Sequence, residues 1–341
     1  MSSTGAPTQG PSPALFFETV NSYQRTAALK AAIELEVFTA IGADASTAEA
    51  IAGQVGGTVR ATRILCDYLV VIGLLLKNGD RYELTGDSAL FLDKKSPAYM
   101  GGAALFLLSP TVLEAFGDLA RVVRTGKTVL DGQGTVEPDH PVWREFARSM
   151  APMMALPADL IASRLAAQDK PQKILDIAAG HGLFGIAFAK KNPQAFIHAL
   201  DWPKVLEVAR QNAGAAGISN RYSTMEGDAF QVEFGNGYDV VLLTNFLHHF
   251  DFETCVGILR KIHGSLNPGG VCATLEFVPN EDRVTPAVPA AFAMMMLGTT
   301  AKGDAYTFAE LDSMASQAGF ARSEWAGLDP SPQSVVVSYK A

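Results

Sequence analysis

Between residues 15 and 41 apolar side chains recur at helical spacing, through Phe16, Val20, Tyr23, Ala27, Leu29, Ile33, Val37 and Phe38. That period predicts one or two amphipathic helices, each with a stripe that needs a partner surface. Residues 47–54 and 59–73 carry the same period, and a short apolar piece at 74–76 then meets 81–84 across Asn78-Gly79-Asp80. An Asn-Gly step between short strand candidates signals a hairpin. Helices followed by a hairpin is the order of a winged helix, which either binds DNA or serves as a packing and dimerisation platform. Arg60 and Arg63 are the only basic residues on the 59–73 segment and Asp67 follows them, which favours the platform.

From 96 to 168 the pattern stays helical, with Pro110, Pro138, Pro141, Pro152 and Pro157 where helices start or bend. Trp143, Phe146, Met150, Met153 and Met154 gather there, either as core or as one wall of an apolar pocket. After Lys170 the rhythm changes. Strand candidates at 173–177, 195–200, 221–226, 239–244 and 271–276 alternate with helical stretches. This predicts a parallel sheet with helices on both faces and a ligand site at the carboxyl ends of its strands. Two last strand candidates, 323–327 and 334–339, are joined by too few residues for a parallel crossover, so they must pair antiparallel.

Composition narrows the function. Hydrophobic residues make up 48% of the 341 and charged residues 18%, as in a packed protein of two domains. A net charge of −8 argues against a nucleic-acid partner, which needs clustered Lys and Arg. No apolar run reaches the roughly 18 residues of a membrane span. Cys66, Cys255 and Cys272 are far apart and lack CxxC spacing, which points to a reducing compartment, the cytoplasm. Residues 1–13 are Ser, Pro and Gly without a basic or apolar region, a flexible tail rather than a signal peptide.

The run Leu175-Asp176-Ile177-Ala178-Ala179-Gly180-His181-Gly182-Leu183-Phe184-Gly185 falls at a strand-to-helix junction. Gly180, Gly182 and Gly185 spell GxGxxG, by itself a weak dinucleotide signal. Three features favour S-adenosylmethionine (SAM) instead. Asp176 at the strand's end would repel a pyrophosphate but attract the methionyl ammonium. Asp201 ends the next strand, where it can accept from ribose hydroxyls, and Asp228 in Glu226-Gly227-Asp228-Ala229-Phe230 can cap an adenine amino group with Phe230 beside the ring. The closing antiparallel pair, finally, is unlike an all-parallel dinucleotide fold.

With these residues the sequence resembles the class I SAM-dependent methyltransferases, and among them the two-domain O-methyltransferases that include plant caffeic acid and bacterial hydroxyneurosporene and acetylserotonin-type enzymes. The resemblance spans about residues 15–339. It implies an α/β fold: a Rossmann-like SAM-binding domain on a seven-stranded mixed sheet with an antiparallel last strand, preceded by a mainly helical, winged-helix-like domain that dimerises. The expected organisation is a tail over 1–13, the dimerisation domain over 14–95, a helical linker contributing to the substrate pocket over 96–169, and the catalytic domain over 170–341. Carried over residue by residue, SAM contacts fall on Asp176, Ala178, Gly180 and Gly182, on Asp201 and Trp202, on Gly227, Asp228, Ala229 and Phe230, and on Thr244 and Asn245.

A more specific match is Phe246-Leu247-His248-His249-Phe250-Asp251. The plant enzymes have leucine-histidine-aspartate-tryptophan here, and that histidine is the general base. By resemblance His248 is the base, His249 replaces the aspartate, and Glu276 supports His248. Two departures stand out: Thr244 where those enzymes have a lysine, and Ala305 where they have a second supporting glutamate, with Asp304 beside it as the substitute. A phenol with a pKa near 10 stays protonated at neutral pH, so a neutral histidine is suited to take its proton as the methyl bond forms. The acceptor pocket is expected from Trp143, Phe146, Met150, Met154, His249, Phe292, Met295 and Met296, the last three on an apolar lid. The reading is thus a homodimeric O-methyltransferase for a small apolar or aromatic hydroxylated acceptor. Its alternatives are a C-methyltransferase, metal-assisted or not, and a SAM-binding or DNA-binding regulator. No metal is expected, because adjacent histidines rarely aim at one ion.

Overall fold

The computed structural model describes residues 10–132, 134–135, 142–167 and 170–341, without the side chains of Val142 and Glu145. The first nine residues of the expected tail, Pro138, Pro141 and the helix end expected at Gln168 lie outside the described residues. The chain forms two compact units, one ending at Leu108 and the other beginning at Ser109.

In the first unit the 15–41 pattern resolves into three helices, Ala14–Val20, Ser22–Glu34 and Val37–Ile41. Ala48–Val55 and Val59–Val71 follow, each opened by a threonine, Thr47 or Thr58, whose hydroxyl accepts from a first-turn N–H. Strands β1 (Leu75–Asn78) and β2 (Arg81–Leu84) pair antiparallel, with Asn78 opposite Arg81, so the turn is Gly79-Asp80 and Asn78 belongs to the strand. Gly79 takes a φ of +62°, which only a residue without Cβ adopts cheaply. Ile33, Phe38, Ile51, Leu69, Leu75 and Tyr82 form the core. Gly101–Leu107, expected in the linker, belongs to this unit because Ala104 and Leu105 pack on that core. Arg63 of the candidate recognition helix is bound to Asp67 at 2.7 Å, and Asp67 also takes Lys77 and the Tyr82 hydroxyl.

The second unit holds a seven-stranded sheet, β3 (Gln172–Ile177), β4 (Ala195–Asp201), β5 (Tyr222–Glu226), β6 (Tyr238–Thr244), β7 (Leu266–Glu276), β8 (Arg322–Gly327) and β9 (Ser334–Tyr339), in the order β5-β4-β3-β6-β7-β9-β8. Pairing is parallel from β5 to β7, and β9 runs antiparallel to both β7 and β8. Strand alternation sends Ile174, Val240 and Leu242 to one face, and Leu175, Ile177, Val241 and Leu243 to the other. The first face is covered by Val142–Leu165, Leu183–Lys191 and Pro203–Ala215, the second by Phe252–Ser265 and Phe308–Ala318. Pro152 and Pro157 lie inside the 24-residue helix Val142–Leu165, and Pro110 opens the helix Pro110–Ala115. Among the described residues no helix is long and apolar enough to cross a membrane. Leu175→Ala, which truncates a fully buried side chain of β3, should cost about 2–5 kcal/mol, read as a lower urea midpoint at unchanged slope.

Candidate active site

The turn after β3 shapes the site. Gly180 and Gly182 have φ values of +56° and +74°, and a Cβ on Gly182 would lie 2.5 Å from the Tyr222 hydroxyl. Asp201, at the end of β4, ties this turn down: its Oδ2 accepts from Gly180 N at 2.8 Å and its Oδ1 from Trp202 N at 2.7 Å. Burial pushes the Asp201 carboxyl up to about 6 against those two donors. Asp228, after β5, accepts from Phe230 N at 2.8 Å.

These residues surround a cavity of about 590 Å³ at the carboxyl ends of the strands. Of the expected cofactor contacts, Ala178, Gly180, Asp201, Trp202, Gly227, Asp228, Ala229, Phe230, Thr244 and Asn245 line it. Asp176 and Gly182 do not. Alternation on β3 turns Asp176 with Ile174 toward the helix Leu183–Lys191, where its Oδ2 accepts from Gly185 N at 3.0 Å and its Oδ1 has no partner. Asp176 therefore supports the turn from behind, and burial pushes its carboxyl up to about 8. The lining residues absent from the expectation include His181, Phe184, Leu200, Phe250 and Lys302. His181 and Phe250 lay within the motifs already singled out. Lys302 had no local signal, because it arrives only where the chain returns after Ala287–Thr299 and pairs with Asp251 at 2.7 Å.

His248 and Glu276 meet. The Glu276 Oε2 binds His248 Nδ1, and its Oε1 accepts from Phe246 N at 3.1 Å and Leu247 N at 2.9 Å. An ionised carboxylate can only accept, so opposite it Nδ1 is the donor and Nε2 keeps the lone pair. Neither residue lines the cavity, whereas the neighbours Phe246 and His249 do. The His248 ring lies 4.2 Å from that of His249 and 4.9 Å, edge to face, from Phe292. His249 contacts Trp143 at 5.1 Å, and burial, with the neighbouring His248 ring adding to it, holds its pKa well below the ordinary value.

Asp304 does not join this pair. Its carboxylate faces Arg283 at 3.4 Å and accepts from Ala305 N, and only its backbone N–H reaches His248, at the carbonyl. The side chain is thus turned to Arg283 and away from the His248 ring. Of the acceptor-pocket residues, Trp143, Phe146 and His249 line the cavity; Met150, Met154, Phe292, Met295 and Met296 do not. Met154 is a core residue whose sulfur accepts from Asn245 Nδ2, Met296 is buried, and Phe292 stacks on Phe277 at 4.1 Å.

Residues 110–321 match the profile of an O-methyltransferase domain, and residues 17–94 that of an O-methyltransferase dimerisation domain. The chain belongs to the O-methyltransferase family. It is 28% identical over 324 residues to a 3-hydroxy-5-methyl-1-naphthoate 3-O-methyltransferase of Streptomyces sahachiroi, covering 93% of this chain and 92% of that one. Its fold is similar to that of a candidate O-methyltransferase from Nostoc punctiforme, with a TM-score of 0.94 at 52% identity over 97% of this chain and 100% of that one. Human N-acetylserotonin methyltransferase in complex with SAM shares the fold, with a TM-score of 0.83 at 22% identity over 99% of this chain and 100% of that one.

This O-methyltransferase is SAM-dependent, and its cavity fits that group. Two fixed carboxylates, Asp201 and Asp228, offer acceptors for hydroxyl and amino donors, and Phe230 and Phe246 give an apolar wall for a flat base. The buried acids also make stability depend on pH. Unfolded, Asp176 and Asp201 lose their protons near 3.8; folded, near 8 and 6. Between those values the folded chain holds protons that the unfolded chain has released, so their contribution to stability falls as pH rises from about 4 to about 8. The urea midpoint of the ligand-free enzyme should decline over that range, and the Asp176→Asn variant should show a shallower decline.

Proposed function

We propose that this enzyme transfers the methyl group of SAM to a phenolic hydroxyl of a small, planar, uncharged acceptor, with His248 as general base. The observation that carries this is the His248–Glu276 pair, which leaves Nε2 as an acceptor directly behind His249, a residue of the cavity wall. SAM, when bound, supplies an electrophilic methyl. His248 takes the hydroxyl proton, and Glu276 stabilises the imidazolium that results, the part a buried carboxylate plays beside any catalytic histidine. Trp143, Phe146 and His249, which line the cavity, hold the acceptor ring in place, which lowers the entropic cost of an in-line displacement. The described lining residues include one lysine, Lys302, already paired with Asp251, which supports an acceptor without a carboxylate to be recognised. The acceptors named for the relatives are hydroxylated aromatics of both kinds, a hydroxynaphthoate that carries a carboxylate and acetylserotonin that does not, and the lining here favours the second kind.

In the His248→Ala variant kcat should fall by about 10²- to 10⁴-fold while calorimetric affinity for S-adenosylhomocysteine (SAH) stays unchanged; an unchanged kcat would remove His248 from the chemistry.

The enzyme is proposed to act as a homodimer in the cytoplasm. The helix Ala14–Val20 buries none of its residues and exposes Leu15, Phe16 and Phe17 by 73%, 64% and 55%. An apolar surface of this kind marks an association site, and it overlaps the dimerisation-domain match. Three buried unpaired cysteines support a reducing compartment. Replacing Phe16 and Phe17 together by Asp should convert a dimer into a monomer in light scattering at micromolar concentration.

A further inference from the structure

Within the glycine turn, His181 is buried and lines the cavity. Its Nδ1 accepts from Leu183 N at 3.1 Å, the first N–H of the helix Leu183–Lys191. A backbone N–H can only donate, so Nδ1 holds a lone pair and the single ring proton sits on Nε2. That Nε2–H has no partner among the described residues, and it is not one of the polar atoms sealed inside the protein. The backbone around it is held in turn: Asn212 Nδ2 donates to the His181 carbonyl at 2.8 Å, and the ring stacks against Phe184. Burial holds the ring's pKa down at about 4, so it stays a neutral donor at physiological pH.

We infer that His181 is a cofactor-binding residue whose Nε2–H donates to the carboxylate of the cofactor's amino-acid tail. The chemistry asks for an anion there. A donor whose tautomer is fixed stands beside a helix N-terminus, whose dipole favours negative charge. The cavity's acidic groups, Asp201 and Asp228, are suited to the hydroxyl and amino donors of the nucleoside instead. A zwitterionic tail presents one carboxylate, and the histidine supplies the donor that a turn of small residues lacks.

This inference rests on SAM occupying the cavity. The test compares two ligands by calorimetry on the full chain: SAH and its analogue lacking only the carboxylate, S-adenosyl-3-thiopropylamine. His181→Ala should weaken SAH by about tenfold or more, the size of a charge-assisted hydrogen bond, and leave the analogue's affinity unchanged. His181→Asn, whose short side chain can still accept from Leu183 N but has no Nε2–H, should behave like the alanine variant and so separates ligand binding from capping. Equal losses for both ligands, or no loss for either, overturn the assignment while leaving the cofactor reading intact. Failure of the unmodified enzyme to bind SAH would remove the cofactor reading itself.

Discussion

The hydrogen bond from Gly180 N to Asp201 ties together two neighbouring strand ends, and the cavity depends on it. The turn it fixes must pass from β3 into the helix Leu183–Lys191 with a left-handed backbone at two glycines and no room for a side chain at Gly182. Asp176, behind the turn, accepts from Gly185 N and keeps the helix close to the sheet. Both carboxylates are held by backbone donors, Asp176 sealed behind the turn and Asp201 half-buried in the cavity wall, so the rigidity that defines the cavity is obtained at the expense of two acids whose ionisation burial disfavours.

A second anchor works in the same way at the far wall. Glu276 binds two successive backbone N–H groups with one oxygen and the His248 ring with the other. One side chain at the end of β7 thereby fixes the conformation of the segment after β6 and the tautomer of its histidine. The two anchors sit on opposite sides of the central strands β3 and β6, at the strand ends where the cavity lies.

The fold was largely legible because strand and helix periods are local. The β3 to β9 segments, the hairpin and the closing antiparallel pair all follow from alternation and connection length. The cavity lining was legible where it coincided with sequence motifs, as at Gly180, Asp201 and Asp228, and so was the meeting of His248 with Glu276. It was not legible where a residue's facing decides the matter. Asp176 faces the helix Leu183–Lys191 from the other side of a pleated strand, and the Asp304 carboxylate faces Arg283. The methionines of Val142–Leu165 and Ala287–Thr299 were read as pocket walls from composition, but composition cannot distinguish a wall from the core behind it. His181 was overlooked for the opposite reason: inside a glycine signature the glycines draw the eye, although the residue between them is the one with a side chain to offer.

The two prolines inside Val142–Leu165 bear on how the cavity wall is held. Neither Pro152 nor Pro157 has an N–H, so two rungs of the helical ladder are absent by chemistry. The stretch ahead of Pro152 carries Trp143 and Phe146 to the cavity, while Met154, Ala158 and Ile161 beyond it are fastened to the sheet core. The aromatic end of this helix is held from the side instead: Ala147 packs with Val205 and Val208 of Pro203–Ala215, and Arg144 pairs with Glu207. Tertiary packing thus supplies the hold that the two absent rungs cannot, and it keeps Trp143 and Phe146 in the wall.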